Sequence, residues 1–394
     1  MRRFPQNGVK QMRTVVDKEL ADWAVAHRRY LHENPELSGQ EYETCAYIRR
    51  CLEELQIEIL DYPAPNLVGF LRGTEGQKTI ALRADIDALP IVEEGEKPYL
   101  SKVAGVAHVC GHDGHTAILL AVAKWLSENR SMIRHNILFL FQSSEEMSPS
   151  GAEALVQQGA IDGADAVFGM HLMQSLEKGK IGYHYGAMMA SSDDFRIKIT
   201  GKGGHGSAPH ETVDPTYVAG HILLGLQAIV SRKVNPVQPA VISVGQVLAG
   251  SNYNIIPNEA VMTGTIRTFS EETRQFIFEE VKRLAEGMST TFGAVGEVSY
   301  ILGTPPLVND KEMSRFAESV IRESYGEHVA VEIEPVMGAE DFSFYGQKRP
   351  STYLMVGMGG EKSQYPHHHP CFDIDEEEIG TAIDLFLQLV SRFE

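Results

Sequence analysis

The sequence predicts an α/β protein: a main domain with a mostly parallel central sheet flanked by helices, and a ferredoxin-like insert that divides it into two chain segments. Three observations predict this. Short apolar runs alternate with helical patterns in the first half of the chain, as strands joined by helical crossovers do. From about Ala187 the order changes to βαββαβ, that of a compact ferredoxin-like unit, and the earlier alternation then resumes. Finally, 394 residues are more than one core usually serves. The resulting segments are 1–186, 187–301 and 302–394.

The elements follow in order. Leu20 to Leu55 reads as two helices broken at "HENPELSG", where Pro35 and Gly39 interrupt the period. Then come the strand "TIALRAD", the helix "TAILLAVAKWLSE", the strand "NILFLFQ", the helix "GAEALVQQGA" and the strand "AVFGMH". In the insert, "DFRIKITGKG" alternates as a strand and "TVDPTYVAGHILLGLQAIVSR" is helical. "AVISVGQVLAG" and "NEAVMTGTIRTF" are strands, "EETRQFIFEEVKRLAEGMSTTF" is a long helix, and "GEVSYILG" closes the unit. "MSRFAESVIRESYG", "STYLMVGMG" and "EIGTAIDLFLQLVSRF" complete the main domain.

A net charge of −18 opposes a broad grip on nucleic acid or anionic lipid, both of which need basic surface. A small-molecule ligand fits better. The N-terminal "MRRFPQNGVKQMRTVVDKEL" lacks an apolar leader core, and no later stretch approaches the roughly 18 apolar residues of a span, so a cytoplasmic location is expected. Cys45, Cys51, Cys110 and Cys371 form neither a disulfide framework nor a CxxC site, which points to reduced thiols.

Ligands of parallel sheets gather at the carboxyl ends of the strands. The strand from Thr79 runs into Asp85 and Asp87, that from Asn136 into Glu145 and Glu146, which are expected to end it, and that from Ala166 into His171. Beside them lies "HVCGHDGHTA", with Cys110 and His112, where Gly111 and Gly114 let backbone pass close to an ion. Thiolate, imidazole and carboxylate are ligands of borderline divalent metals. The candidates are Cys110, His112, Glu146, His171 and one histidine of His367–His369. Neighbouring side chains diverge, so Glu146 can hold metal while Glu145 serves as general base. His108 and His115 have no assigned task, and Asp113 is expected to orient an imidazole.

These residues resemble the amidohydrolase branch of the M20 metallopeptidase family, which includes hippurate hydrolases, N-acyl-amino-acid deacylases and auxin-conjugate hydrolases. The motifs are "RRYLHENPELSGQEYET", "LRADIDALPI", "CGHDGHTA", "SSEEMSPSGAEALVQQGAI", "GMHL", "GKGGHGSAPH", "NIIPNEAVMTGTIRTF", "GAEDFSFY" and "HHHPCFDIDE", from Arg28 to Asp375. One departure is "QSSEE" where the family more often has "QPAEE"; the acids remain.

The resemblance implies two divalent metal ions (Zn, Mn, Co or Ni) held by Cys110, His112, Glu146, His171 and His368, with Cys110 as the bridge. The choice of His368 over His367 or His369 follows the "H-x-P-x-F" spacing. It implies Glu145 as general base, Asp87 as the acid on a neighbouring imidazole, and Asp85 where other branches carry a metal-binding histidine. In the insert it implies that His205 reaches the partner subunit's site to stabilise the oxyanion, and that Asn254 and Arg267 hold the substrate carboxylate. The insert would then be both lid and interface of a homodimer or homotetramer. Glu340 and Asp341 receive no role. The implied activity is hydrolysis of an N-acyl amino acid. A dipeptidase or carboxypeptidase on the same scaffold is the alternative, and the intact ligand set with Glu145 argues against a catalytically silent paralogue.

Overall fold

The computed structural model describes residues 16–394; the expectation that no leader occupies the N-terminus therefore rests largely on residues outside those described. Among the described residues, no helix is long and apolar enough to cross a membrane. The chain divides into two compact units, one running to His184 and including 310–333 and 348–394, the other comprising 185–309 and 334–347.

The first unit is built on an eight-stranded sheet. Its centre is four parallel strands in the order Asn136–Gln142, Thr79–Asp85, Ala166–Glu177 and Ser351–Gly359. Six of the seven residues of Thr79–Asp85 and of Asn136–Gln142 are buried, as expected of strands covered on both faces. The edges are mixed. Glu58–Leu60 and Leu67–Leu71 add antiparallel strands on one side; Ile181–Tyr183 and Ala330–Glu332 lie on the other.

The helix expected from Thr116 begins earlier, spanning His112–Glu128, so His112, Asp113 and His115 occupy its first turn. Every residue from His112 to Ala123 is buried. This helix packs against Lys18–Glu33, against Glu378–Arg392 and against the Thr79 strand. Gly114 permits the fit: a Cβ there would stand 2.8 Å from Ile374 and 2.9 Å from Leu172. Gly111, its N-cap, has φ 92°, a conformation open chiefly to glycine.

The second unit has a four-stranded antiparallel sheet ordered Ala240–Ala249, Glu259–Thr268, Asp193–Thr200, Val295–Leu302. Helices Pro215–Arg232 and Glu271–Thr291 pack on it, capped by the side chains of Asp214 and Ser270. Phe195, Ile197 and Ile199 alternate inward to meet Ile222, Leu226 and Ile277. Residues 334–347, which alternation alone assigns to the main domain, belong here because Val336 and Gly338 pair with the Met188–Ala190 backbone.

Candidate metal centre

Glu145 and Glu146 do not end a strand. The strand stops at Gln142, and the acids follow in a loop turned by Ser144 at φ 50°. Both are half-buried. Three elements thus converge: this loop, the first turn of the His112 helix, and His171 within Ala166–Glu177.

Two groups of ligand atoms meet there, each within 4.8 Å of one another, and Cys110 belongs to both. One is Cys110, His112 and His171; the other is Cys110, Glu146 and His368. Cys110 Sγ lies 3.6 Å from His171 Nε2, and His368 Nε2 lies 3.1 Å from Glu146 Oε1. Glu145 groups with His112 and Glu146. Burial, and then the Glu146 charge, push the Cys110 thiol well up, whereas burial pushes His171 well down. Glu146 Oε1 is buried and makes no well-directed hydrogen bond among the described residues. A cysteine brought this close to two histidines, or to a histidine and a carboxylate, offers the mixed sulfur, nitrogen and oxygen donors that divalent transition metals accept. The donor set therefore fits divalent metal ions, with Cys110 available to both groups.

The imidazoles are oriented from behind, as metal-binding histidines usually are. His112 Nδ1 lies 3.0 Å from Asp87 Oδ1 and 3.1 Å from Asp87 O, which leaves Nε2 toward Glu146. His171 Nδ1 donates to Leu172 O at 2.9 Å. Burial opposes ionisation of Asp87, but His112, the Glu146 N–H and Ser38 outweigh it and hold the carboxyl below its usual range.

The three consecutive histidines differ in their partners. His367 Nε2 bonds Leu172 O at 3.0 Å, His369 accepts from Cys371 N and stacks on Tyr365, and His368 turns to Glu146. His368 does so at φ 66°, its N–H held 2.8 Å from Val109 O. Strain of this kind is typical of functional positions.

A further potential group, Asp85 with His112 and His115, is already committed. Asp85 pairs with Arg83 at 2.6 Å and with His115 Nδ1 at 2.6 Å, and His115 Nε2 accepts from Leu172 N. His115 thus supports the backbone beside His171. Asp113 orients His32, not a ligand candidate: it lies 2.7 Å from His32 Nδ1 and 2.7 Å from Arg28 Nε. Among the described residues neither ring nitrogen of the buried His108 has a hydrogen-bond partner, and burial lowers its pKa to about 4. Sequence reasoning missed Arg28, His32, Ser38 and Glu41, although all four lie in the quoted "RRYLHENPELSGQEYET".

In the second unit His205 is exposed, its Nδ1 accepting from Ser207 N. It pairs with Ile255, and Gly206 N donates to Asn254 O at 2.8 Å, so His205 and Asn254 are neighbours. Arg267 is not. It sits near the far end of Glu259–Thr268, opposite Val241, whereas Asn254 precedes the near end. At about 3.3 Å per residue the intervening strand separates them by roughly 25 Å. Glu340 and Asp341 are buried, and Glu340 Oε1 accepts from Phe342 N.

The model of Peptidase family M20/M25/M40 matches residues 81–392. The chain is 41% identical over 378 residues to the N-acetylcysteine deacetylase of Bacillus subtilis, covering 95% of this chain and 98% of that protein. It is 43% identical over 304 residues to an N-acyl-L-amino acid amidohydrolase of Geobacillus stearothermophilus, covering 77% and 82%. Among solved structures, the Bacillus subtilis YXEP protein, described as a dinuclear metal binding peptidase from the M20 family, superposes with a TM-score of 0.84 at 39% identity, covering 95% and 98%. The alternation of the strands, the shared-cysteine ligand groups and these matches along nearly the whole length have one reading: the chain belongs to the M20/M25/M40 peptidase family.

Proposed function

We propose that the protein is a metal-dependent amidohydrolase that cleaves the amide of an N-acyl amino acid, acetyl or aromatic acyl, into a carboxylic acid and a free amino acid. The observation that carries this reading is the pair of ligand groups sharing Cys110 Sγ with Glu145 beside them. Cys110, His112 and His171 would hold one divalent ion, and Cys110, Glu146 and His368 the other. Metal ions held there would supply Lewis acidity toward the attacking water and the amide carbonyl. Glu145 takes the proton from the attacking water at its carboxylate and delivers it to the leaving nitrogen. Asp87 keeps the His112 Nδ1 proton in place, so that Nε2 is free to ligate. The thiolate favours zinc, while the oxygen and nitrogen ligands also accept manganese, cobalt or nickel. Four free cysteines support a reducing, cytoplasmic setting.

Reloading metal-stripped protein with zinc, manganese or cobalt and offering N-acetylcysteine, N-acetylmethionine, hippurate, indoleacetyl-alanine and plain dipeptides tests the reading. Turnover of the acylated amino acids that depends on added metal is expected. Activity on dipeptides alone would move the assignment to a peptidase, the reading that the names of the family and of the YXEP protein favour.

The roles of the second unit belong to an assembly. Asn254 and Arg267, so far apart in one chain, can hold one substrate carboxylate only if two subunits supply them. We therefore take the second unit as lid and as interface of a homodimer or homotetramer, with His205 donating to the oxyanion in the partner's site. Mixing inactive Glu145→Ala and His205→Ala chains should restore about a quarter of wild-type activity, since half of random dimers are hybrids with one intact site. No recovery, with hybrids shown to form, would assign His205 to its own chain.

A further inference from the structure

The 36–41 turn, "ELSGQE", has no part in the chemistry above, yet two of its side chains, Ser38 and Glu41, make hydrogen bonds that lead toward the metal centre. Its backbone is tied to the segment after the Thr79 strand: Leu37 bridges Ala88, and Ala88 N donates to Glu36 O at 2.8 Å. Ser38 Oγ donates to Asp87 Oδ2 at 2.7 Å. The same Asp87 oxygen accepts from Glu146 N at 3.0 Å, while Oδ1 faces His112. Three residues on, Glu41 Oε1 accepts from Ser144 N at 2.7 Å. Ser144 is the left-handed residue that turns the chain immediately before Glu145.

Glu41 is an unusual residue for this place. It is wholly buried, no cation is among its contacts, and its Oε2 makes no hydrogen bond among the described residues. It stands at the N-cap of Tyr42–Glu54 without capping that helix; Glu36 supplies the first-turn acceptors instead, 2.7 Å from Thr44 N. Burial pushes its carboxyl up to about 7, against the Ser144 N–H, which favours the charged form. A buried carboxylate costs free energy that a neutral side chain would not. What it supplies in return is an acceptor for backbone amides, foremost that of Ser144, a residue held at φ 50°, which a non-glycine residue adopts only under constraint.

We propose that Glu41 is a positioning residue for the Glu145–Glu146 loop, acting as the hydrogen-bond acceptor that locks Ser144 in its left-handed turn, with Ser38 securing the other end of the clamp through Asp87. The inference rests on the roles assigned above to Glu145 and Glu146. It makes the turn a brace at both sides of the centre: behind His112 through Asp87, and behind the base through Ser144. The acceptor, and not the charge, is the operative property.

Glu41→Gln and Glu41→Asp separate the two. The glutamine keeps an oxygen in reach of Ser144 N, whereas aspartate keeps the charge but withdraws the oxygen by about one carbon–carbon bond, roughly 1.5 Å. Each protein is stripped, titrated with cobalt, and measured for equivalents bound, kcat and KM on an N-acetyl amino acid, and thermal midpoint. Glu41→Gln is expected within about threefold of wild type throughout. Glu41→Asp is expected to lose about 10–100-fold in kcat or in affinity for one of two cobalt ions, with KM nearly unchanged. Glu41→Asp indistinguishable from wild type, or altered only in thermal midpoint, overturns the inference; so does Glu41→Gln as impaired as Glu41→Asp. If Glu41→Asp does not fold, Glu41→Gln decides alone, since a tenfold loss of kcat or of one cobalt there removes the acceptor role. Wild type that binds two cobalt ions without hydrolysing any acylated amino acid would count against the functional reading, while the binding data still report on Glu41.

Discussion

Glu145→Ala is expected to lower kcat by about 10³-fold, the middle of the range for a placed acid–base group, while both metals remain bound. The distinction matters because Glu145 sits among the ligand atoms, grouped with His112 and Glu146. A ligand and a base in such a cluster are told apart by what their removal takes away. If Glu145 moves protons, the variant keeps its metal content and loses turnover, and KM changes little. Metal analysis beside steady-state kinetics checks this. Loss of one metal together with activity would make Glu145 a ligand, and unchanged turnover would require another base.

Cys110→Ala is expected to have the opposite signature, loss of metal first and of turnover as a consequence. Its sulfur is common to both ligand groups, so one substitution removes a donor from each. Orienting residues behind a ligand are worth about 10–100-fold in metal affinity, and removing a shared ligand should exceed about 100-fold at both positions. Bound metal should therefore fall from two equivalents toward none. Cys110→Asp is the informative companion, because a carboxylate can also bridge two cations. It should retain metal, with preference displaced from zinc toward manganese. Full metal content in Cys110→Ala would dismiss the bridge.

Much of this centre is legible in the sequence, for identifiable reasons. Cys110, His112 and the acids near the strand ends stand out because their chemistry is concentrated where a parallel sheet places its ligands. The strands Thr79–Asp85 and Asn136–Gln142 are legible as unbroken apolar runs. Legibility failed where the backbone has no period. The helix reaches back to His112 from Gly111, whose positive φ lets the chain turn into it there, which an apolar pattern starting at Thr116 does not disclose. Asp113, one position past a ligand candidate, turns to Arg28 and His32 because the first turn of a helix sends successive side chains to different neighbours.

The α/β class, the interrupted main domain and the candidate cation ligands can be read without a structure, because periodicity and side-chain chemistry are local properties. Which of three adjacent histidines faces Glu146, the commitment of Asp85 to Arg83 and His115, and the distance of Arg267 from Asn254 emerge from the fold alone. Those outcomes depend on loop dihedrals and on contacts such as that of Glu41 with Ser144, 103 positions apart in the chain. No spacing rule reaches so far, since the partner of a buried polar group is selected by what the fold brings against it.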